Sequence, residues 1–260
     1  MIHYLLKILD SSSIEKAQEE LQKLGLQDEY IIEEKDTTFI GGNFEKQLNN
    51  KDLKNVSIEK EYFEYIIDWE AEASHSPYYK DNLIQVPLNL FSKENAHIIR
   101  LYPGPGFGDL SHPTTELMLS LIPDFSNDAT IVDMGCGNGV LSFAAHYFGA
   151  KKVYGIDICK EAISQAKKNL FLNESPNIIF SEILSAKEGS FILFINMIFS
   201  EQLEVFKTYP NLLMQCKVII ASGILEEDAC EYISFIENQS NLKLHKHSFL
   251  KDWSGLIFTD

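Results

Sequence analysis

A glycine-rich segment in the middle of the chain constrains the fold more than any other feature of the sequence. Residues 132–139 read VDMGCGNG, a D-x-G-x-G-x-G loop. Thr130–Met134 before the loop is typical of a buried strand, and Val140–Phe148 after it is typical of a helix. Glycines at such a junction let the backbone turn sharply and approach a ligand at the helix N-terminus. The loop therefore predicts an α/β fold with a ligand site at the end of a strand.

The chain beyond this loop alternates between strands and helices, which is the pattern of a parallel sheet with crossover helices. The last two strand-like runs are expected to form a closing antiparallel hairpin at the sheet edge. The predicted elements are strands at Lys152–Ile158, Asn177–Glu182, Phe191–Met197 and Lys217–Ala221, a helix at Glu161–Asn173, and hairpin strands at Leu242–Leu250 and Gly255–Thr259.

Asp157 adds a second ligand signal, because it ends the strand that follows the loop, eighteen residues beyond Gly139. There its carboxylate can accept hydrogen bonds from a ribose diol, and a glycine loop with such an acidic residue is a nucleoside-binding arrangement. A nicotinamide or flavin fingerprint that starts at Gly135 requires glycine where Val140 stands, which disfavours a dehydrogenase. Asp133 before the loop instead matches the first motif of the class I S-adenosylmethionine-dependent methyltransferases.

A second segment narrows this resemblance to one family. Residues 106–115, GFGDLSHPTT, resemble the A-F-G-T-G-T-H-P-T-T stretch of the PrmA family, the bacterial ribosomal protein L-eleven methyltransferases. The similarity extends from about Trp69 to the C-terminus and is weak before Trp69. It is carried further by 132–141, 148–158, 196–199 (N-M-I-F against the family's N-I-L-A), 222–225 and the stretch around Trp253.

The resemblance implies S-adenosyl-L-methionine as cofactor and a set of site residues. Asn196 is the expected catalytic residue, because it interrupts an apolar strand at its carboxyl end and its carbonyl can orient an incoming amine. Thr115 could reach the methionine carboxylate, although capping a helix explains the residue type almost equally well. The expected cofactor contacts are Thr115, Asp133, Gly135, Gly137, Gly139, Asp157 and Asn196, and the expected substrate loop contains Phe107, Gly108, Asp109 and His112.

The family pattern is broken at residues 109–111, where Asp109, Leu110 and Ser111 replace T-G-T. Leu110 stiffens the loop relative to glycine, and Asp109 adds a negative charge beside the expected methyl-transfer site. That charge either holds a lysine ammonium or weakens binding. His112 is a candidate for proton removal, but a structural hydrogen bond at a helix start explains it better.

The region before the methyltransferase domain predicts a small α+β unit. Residues 1–60 are expected to form a ferredoxin-like recognition domain, with a turn at Gly41–Gly42, and 61–102 a helical connector with lead-in strands. The connector helix is predicted from Tyr62 to Ala73, and the methyltransferase domain covers 103–260. In this interpretation the whole chain has an α/β, Rossmann-like class I methyltransferase sheet behind a small N-terminal α+β domain.

Charge and cysteine content bear on the partner and the compartment. The chain has 22 Lys and Arg against 38 Asp and Glu, a formal net charge of −16, which argues against a nucleic acid partner and favours a basic protein. The four cysteines contain no C-x-x-C pair, so we expect no metal site, reduced thiols and a cytoplasmic location without membrane attachment.

The favoured function is methylation of a lysine or N-terminal amine of a basic ribosomal protein. A small-molecule methyltransferase and a catalytically silent binding module remain as alternatives.

Overall fold

The structure is a computed structural model and describes residues 2–9, 13–34, 37–62, 69–74, 76–106, 108, 110, 112–184 and 190–260. For residues 15, 28–34, 62 and 72 it describes the backbone alone. The chain divides into two compact units, Met1–Ile67 and Asp68–Asp260.

The described part of the first unit is an antiparallel sheet with one α-helix. The strand order is β2-β3-β1-β4, the order of a ferredoxin-like sheet, and a single 3-10 turn at Asn50–Asp52 lies between β3 and β4. Tyr4, Leu6 and Ile8 alternate along β1 and face a core that includes Ala17 and Leu21 of the helix. The elements are β1 (Ile2–Ile8), α1 (Ile14–Lys23), β2 (Gln27–Glu34), β3 (Thr37–Phe44) and β4 (Val56–Tyr62).

Two local predictions for this region are wrong. Gly41–Gly42 is not a turn but lies inside β3, where Gly42 pairs with Tyr4 of β1. A Cβ on Gly42 would collide with the Leu26 side chain, so glycine is needed there for packing. Tyr62 belongs to β4, which passes the expected domain end at residue 60. Within the described part of the predicted connector helix, Trp69–Ala73 is helical and Tyr62 is not; residues 63–68 lie outside that part.

The second unit contains a small sheet and a large one. The small antiparallel sheet has the order β5-β6-β7 and includes both predicted lead-in strands. The elements are α2 (Trp69–Ala73), β5 (Tyr79–Lys80), β6 (Leu83–Pro87), β7 (Ile98–Leu101), α3 (Pro113–Leu121), α4 (Pro123–Ser126), β8 (Thr130–Met134), α5 (Val140–Tyr147), β9 (Lys152–Ile156), α6 (Lys160–Asn173), β10 (Ile178–Ser181), β11 (Phe191–Asn196), α7 (Phe199–Thr208), α8 (Leu212–Gln215), β12 (Cys216–Leu225), α9 (Ala229–Gln239), β13 (Lys243–Leu250) and β14 (Trp253–Thr259).

The large sheet confirms the predicted fold class. Its described strands have the order β10-β9-β8-β11-β12-β14-β13, in which the first five are parallel and the β13–β14 hairpin closes the sheet antiparallel. β9 and β10 follow β8 on one side of the sheet, and β11 and β12 lie on its other side. The strand order therefore reverses between β8 and β11. Ligands in open α/β sheets bind at such a reversal, outside the carboxyl ends of the strands.

The strands are continuously apolar because both faces of the sheet are covered. Leu193 and Ile195 of β11 pack into the core that contains residues of α7 and α9, whereas Phe194 between them packs into the core that contains residues of α3, α5 and α6. This three-layer packing holds the strand ends in place as a platform for the site. Within the described residues, no helix is long and apolar enough to cross a membrane.

Candidate active site at the carboxyl ends of the parallel strands

The glycine loop joins β8 to α5 and is anchored to the neighbouring strand. The Gly135 amide donates to the Ile156 carbonyl, the last of β9, at 2.7 Å. Gly135 has φ +72°, and a Cβ there would collide with the Met197 side chain. Gly139 has φ +90° and precedes α5, where a Cβ would lie 2.8 and 2.9 Å from two aromatic rings. The positive φ of both glycines and the close approach of neighbouring side chains favour glycine at these two positions.

Asp157 follows β9 and binds the glycine loop with one carboxylate oxygen and the start of α6 with the other. Oδ2 accepts a hydrogen bond from the Gly137 amide and Oδ1 accepts one from the Cys159 amide, each at 2.9 Å. A carboxylate oxygen can accept more than one hydrogen bond, so each oxygen keeps capacity for a ligand hydroxyl. Asp157 therefore fixes the loop and also lines the cavity beside it.

Asp133 is buried in β8 below the loop and is not among the residues that line the cavity. Its Oδ2 accepts a hydrogen bond from the Ser142 hydroxyl at 2.6 Å, whereas its Oδ1 has no partner among the described residues. Burial raises the pKa of Asp133 from 3.8 to about 7, the Ser142 hydroxyl opposes this shift, and the charge of Asp157 adds to it. Near pH 7 the Asp133 carboxyl is consequently protonated, and so neutral, in a fraction of the protein molecules.

Asn196 is the last residue of β11 and lines the cavity beside the glycine loop. The register pairs Ile195 with Met134, so Asn196 and Gly135 are the next residues of adjacent strands. The Asn196 Oδ1 is buried and has no hydrogen-bond partner in the described parts of the chain. Such an oxygen costs about 1–3 kcal/mol when it is left without a donor. The site therefore offers a carbonyl oxygen for the N–H group of a ligand.

The segment 102–106, here called the strap, follows β7 and lies against the glycine loop. A Cβ on Gly106 would lie 2.5 Å from the Asn138 amide nitrogen, which shows how closely the two backbones approach. Pro105 of the strap lines the cavity. Three buried amide side chains, spaced four residues apart on one face of α6, hold β7 and the strap: Gln165, Asn169 and Asn173.

Asn169 links the strap to the glycine loop. Its Oδ1 accepts from the Tyr102 amide and its Nδ2 donates to the Asn138 carbonyl, both at 2.9 Å. The side chain is fully buried, so these bonds replace water for both backbone groups. Sequence analysis considered only the apolar face of this helix, and it missed the amide row. Polar residues at i, i+4 and i+8 were the available signal.

His112 caps α3 and borders the cavity together with Trp253. The His112 Nδ1 accepts from the Thr114 amide at 3.4 Å and lies 2.8 Å from the Thr114 hydroxyl. Burial lowers the pKa of His112, and the nearby Lys251 lowers it further. An Nδ1 that accepts at the helix start puts the proton of the neutral ring on Nε2, which favours the structural interpretation of His112. The His112 and Trp253 rings meet edge to face, with centroids 4.9 Å apart.

Thr114, and not the predicted Thr115, is one of the residues that line the cavity. Thr115 is fully buried in the first turn of α3, which packs against β12 and β14, and its Oγ1 has no partner among the described residues. The helix-cap alternative for Thr115 is wrong, because His112 is the cap. Its predicted contact with a cofactor remains a prediction.

Only part of the expected substrate loop can be placed. Gly108 is buried with φ +118°, and a Cβ there would lie 2.7 Å from Val140. Leu110 is buried with φ 63°, a left-handed conformation that glycine adopts without strain. Phe107 and Asp109 lie outside the described residues, as does Ser111.

These elements surround a cavity of about 730 Å³. Five predicted residues line it, namely His112, Gly135, Gly137, Asp157 and Asn196; Thr115, Asp133, Gly139 and Gly108 do not. Sequence analysis missed most of the apolar lining, which includes Ile158, Met197, Ile198 and Val205, and it assigned Trp253 only to the closing hairpin. Ile158, Met197 and Ile198 lie in stretches that carry the family resemblance, but an apolar residue after a strand resembles any core residue, so nothing marked them as cavity lining.

Comparisons with known proteins agree with this geometry. A ribosomal protein L11 methyltransferase from Acetivibrio thermocellus is 34% identical over 171 residues, which cover 62% of this chain and 54% of the relative. One from Thermosipho africanus is 26% identical over 253 residues, 96% of this chain and 95% of the relative. The chain spans about half the length of the first curated relatives it matches, with 54% and 55% covered.

A solved structure and a family model extend the comparison. The crystal structure of the ribosomal protein L11 methylase from Lactobacillus delbrueckii subsp. bulgaricus matches with a TM-score of 0.56 and 28% identity, over 63% of this chain and 86% of that chain. The family model described as ribosomal protein L11 methyltransferase (PrmA) matches residues 7–260. Its match over nearly the whole sequence, on a class I methyltransferase sheet with the glycine loop at its centre, shows that this chain belongs to the ribosomal protein L11 methyltransferase (PrmA) family.

Proposed function

We propose that this protein is an S-adenosyl-L-methionine-dependent methyltransferase that transfers a methyl group to an amine of a protein. The observation that carries the proposal is the Asn196 Oδ1, a buried oxygen without a partner among the described residues, on a residue that lines the cavity beside the glycine loop. Such an acceptor suits the N–H group of an uncharged amine and would hold it next to a nucleoside-binding loop.

The residues of the cavity fit the proposed cofactor. Asp157 offers carboxylate oxygens for a ribose diol, and Gly135 and Gly137 line the cavity beside it. Ile158 and Ile198 line the same cavity and are 91% and 49% exposed, so they supply an apolar surface that a flat base would cover. When bound, the cofactor would supply an activated methyl group on its sulfonium sulfur.

The side chains of this site act by positioning and by excluding water. The Asn196 carbonyl accepts an N–H of the amine and directs the nitrogen lone pair into the cavity, while Trp253 and His112 form one wall. A lysine amine has an ordinary pKa near 10.4 and must lose a proton before it can attack.

None of the three titratable groups predicted for the site, His112, Asp133 and Asp157, is well placed as the base. The His112 Nδ1 is used by the start of α3, Asp133 lies outside the cavity lining, and both Asp157 oxygens already accept backbone hydrogen bonds. We therefore assign the proton to water that enters with the substrate. Catalysis then rests on orientation and desolvation, which suffice for a displacement that needs no covalent participation by the protein.

The proposed substrate is a basic ribosomal protein of the L11 class, modified at lysine or N-terminal amines in the cytoplasm. The names of the relatives point to this substrate, and the net charge of −16 favours encounter with a basic partner over nucleic acid. We assign recognition to the N-terminal unit, whose antiparallel sheet has its own core.

The experiment is methylation with radiolabelled S-adenosyl-L-methionine, using purified ribosomal protein L11 and a cell lysate of the source organism as substrates. Label on L11, located by mass spectrometry on amine nitrogens, is the expected result. Label only on small molecules would replace the proposal with small-molecule methylation. If no label appears, the combined substitutions Asp109→Thr, Leu110→Gly and Ser111→Thr test a blocked site, because activity only in this variant would indicate a silent module.

A further inference from the structure

Gln202 is a fully buried amide in α7, and its hydrogen bonds connect two strand ends at the cavity. Its Nε2 donates to the Met197 carbonyl at 2.7 Å and to the Ser222 carbonyl at 2.9 Å. The register pairs Ser222 with Asn196, the last residue of β11. Gln202 therefore joins the residue after Asn196 to the residue paired with Asn196.

These two carbonyls need a side-chain donor because the parallel ladder ends between them. β11 and β12 are paired as far as Asn196 and Ser222. After Asn196 the chain leaves the sheet and continues into α7. A buried carbonyl without a donor is strongly disfavoured, so the amide supplies the last rung of the ladder. A Cβ on Gly223 would collide with the Met197 backbone, which shows that the two chains are also in direct contact here.

Tyr232 of α9 fixes the orientation of this amide. Its buried hydroxyl donates to the Gln202 Oε1 at 2.5 Å, and burial raises the pKa of the phenol, so it stays protonated as a donor. Two carbonyls face one end of the Gln202 side chain and a hydroxyl faces the other, which assigns the nitrogen and the oxygen. A flip of the amide would lose both hydrogen bonds to the carbonyls, because an amide oxygen cannot donate to a carbonyl oxygen.

We propose that Gln202 is a positioning residue for methyl transfer: it fixes the turn after β11 and so the direction in which Asn196 presents its Oδ1. This inference rests on the proposed function, in which Asn196 orients the amine. Gln202 does not line the cavity, so it acts through the Met197 backbone and not by touching a ligand. The contacts of Asp157 and the glycine loop belong to other strands and do not depend on it.

The test replaces Gln202 with methionine, which has a similar length but no amide. Ile236→Val is the matched control, because Ile236 is fully buried in the core beside Tyr232 and its loss of one methyl group destabilises the protein without touching the turn. Three quantities are measured at a temperature where both variants are folded: hydrogen exchange of the peptide 196–200, the single-turnover methylation rate and the cofactor Kd.

We expect Gln202→Met to speed exchange in 196–200 by about tenfold or more, relative to the control. The single-turnover rate should fall by about tenfold to a hundredfold, because small misplacements of an orienting group have effects of this size. The cofactor Kd should rise by a smaller factor than the rate falls, since Asp157 and Gly137 lie on other strands and only Ile198 of the proposed base surface lies in the loosened turn. Tyr232→Phe, which keeps the ring but frees the amide, should change exchange and rate in the same direction by a smaller factor, and it serves if Gln202→Met does not fold.

The proposal is overturned if wild type is active and both variants match Ile236→Val in exchange and in rate. It is also overturned if the rate falls only in proportion to the folded fraction, which would indicate a purely structural amide. An inactive wild type would instead refute the proposed function. With an inactive wild type, faster exchange of 196–200 in Gln202→Met would still support the conclusion that the Gln202 hydrogen bonds fix this turn.

Discussion

The buried carboxyl of Asp133 gives this protein a pH-dependent stability that one substitution should remove. Burial raises the pKa of Asp133 from 3.8 to about 7 in the folded chain. The folded state therefore binds more protons than the unfolded state between about pH 4 and 7, and the free energy of unfolding falls as pH rises through this range. A shift of this size corresponds to about 4 kcal/mol in total, of which about 2–3 kcal/mol falls between pH 5 and pH 8.

Asp133→Asn removes this titration and keeps an acceptor for the Ser142 hydroxyl. The new NH₂ group takes the place of Oδ1, which has no partner among the described residues, and leaving it unpaired costs about 1–3 kcal/mol at every pH. The difference in unfolding free energy, variant minus wild type, should therefore rise by about 2–3 kcal/mol from pH 5 to pH 8. Asparagine is expected to be destabilising at pH 5 and close to neutral or stabilising at pH 8.

Urea unfolding of both proteins at pH 5 and pH 8, followed by fluorescence, measures this difference, and titrating groups that do not interact with Asp133 cancel in it. Ser142→Ala provides a second test, with an effect expected in the opposite direction. It removes the donor that opposes the pKa shift of Asp133, so the stability of this variant should depend more steeply on pH than that of wild type. A variant-minus-wild-type difference that is the same at both pH values would show that the Asp133 pKa is not raised, and it would refute the reasoning.

Three further outcomes are expected. Asp157→Ala should weaken S-adenosyl-L-methionine binding, measured by calorimetry, by about 1.5–3 kcal/mol. Glu231 is exposed and lies outside the cavity lining, so the control Glu231→Gln should leave binding unchanged. Equal affinity of the two variants would remove Asp157 from the site. Asn169→Ala, which breaks the link between strap and glycine loop, should lower the free energy of unfolding by about 1–3 kcal/mol and weaken cofactor binding, and an unchanged urea midpoint would contradict this. Removal of residues 1–67 should leave cofactor binding intact and abolish labelling of the protein substrate, whereas labelling at the full rate would place recognition in the second unit.

Much of the fold could be predicted from local signals in the sequence. Strand Thr130–Met134 has its predicted bounds, and the parallel strands and closing hairpin follow within a few residues of their expected ends. This works because strands covered on both faces are continuously apolar, and because a glycine loop between strand and helix has few alternative conformations. The positions of Gly135, Gly137, Asp157 and Asn196 at one cavity follow from the same rule, since the carboxyl ends of parallel strands share one edge of the sheet.

The sequence failed where a residue's role depends on a distant neighbour. Gly41–Gly42 has the composition of a turn, but Gly42 lies inside β3, where a Cβ would meet the Leu26 side chain and would lie 2.9 Å from the Gln27 carbonyl oxygen. Thr114 and Thr115 are adjacent and chemically identical, and only the orientation of α3 puts one in the cavity lining and buries the other.

The sequence by itself determined the fold class, the family and the strand ends at which the ligand site lies, because these depend on short, contiguous patterns. Tertiary structure alone decided which buried amides hold the site together. Asn169 and Gln202 bond to backbone groups that are far away along the chain or on other elements, at Tyr102 and Ser222, and no local pattern encodes those partners. A buried amide has a defined role only once the chain has brought unpaired backbone groups to it, and that happens only in the folded protein.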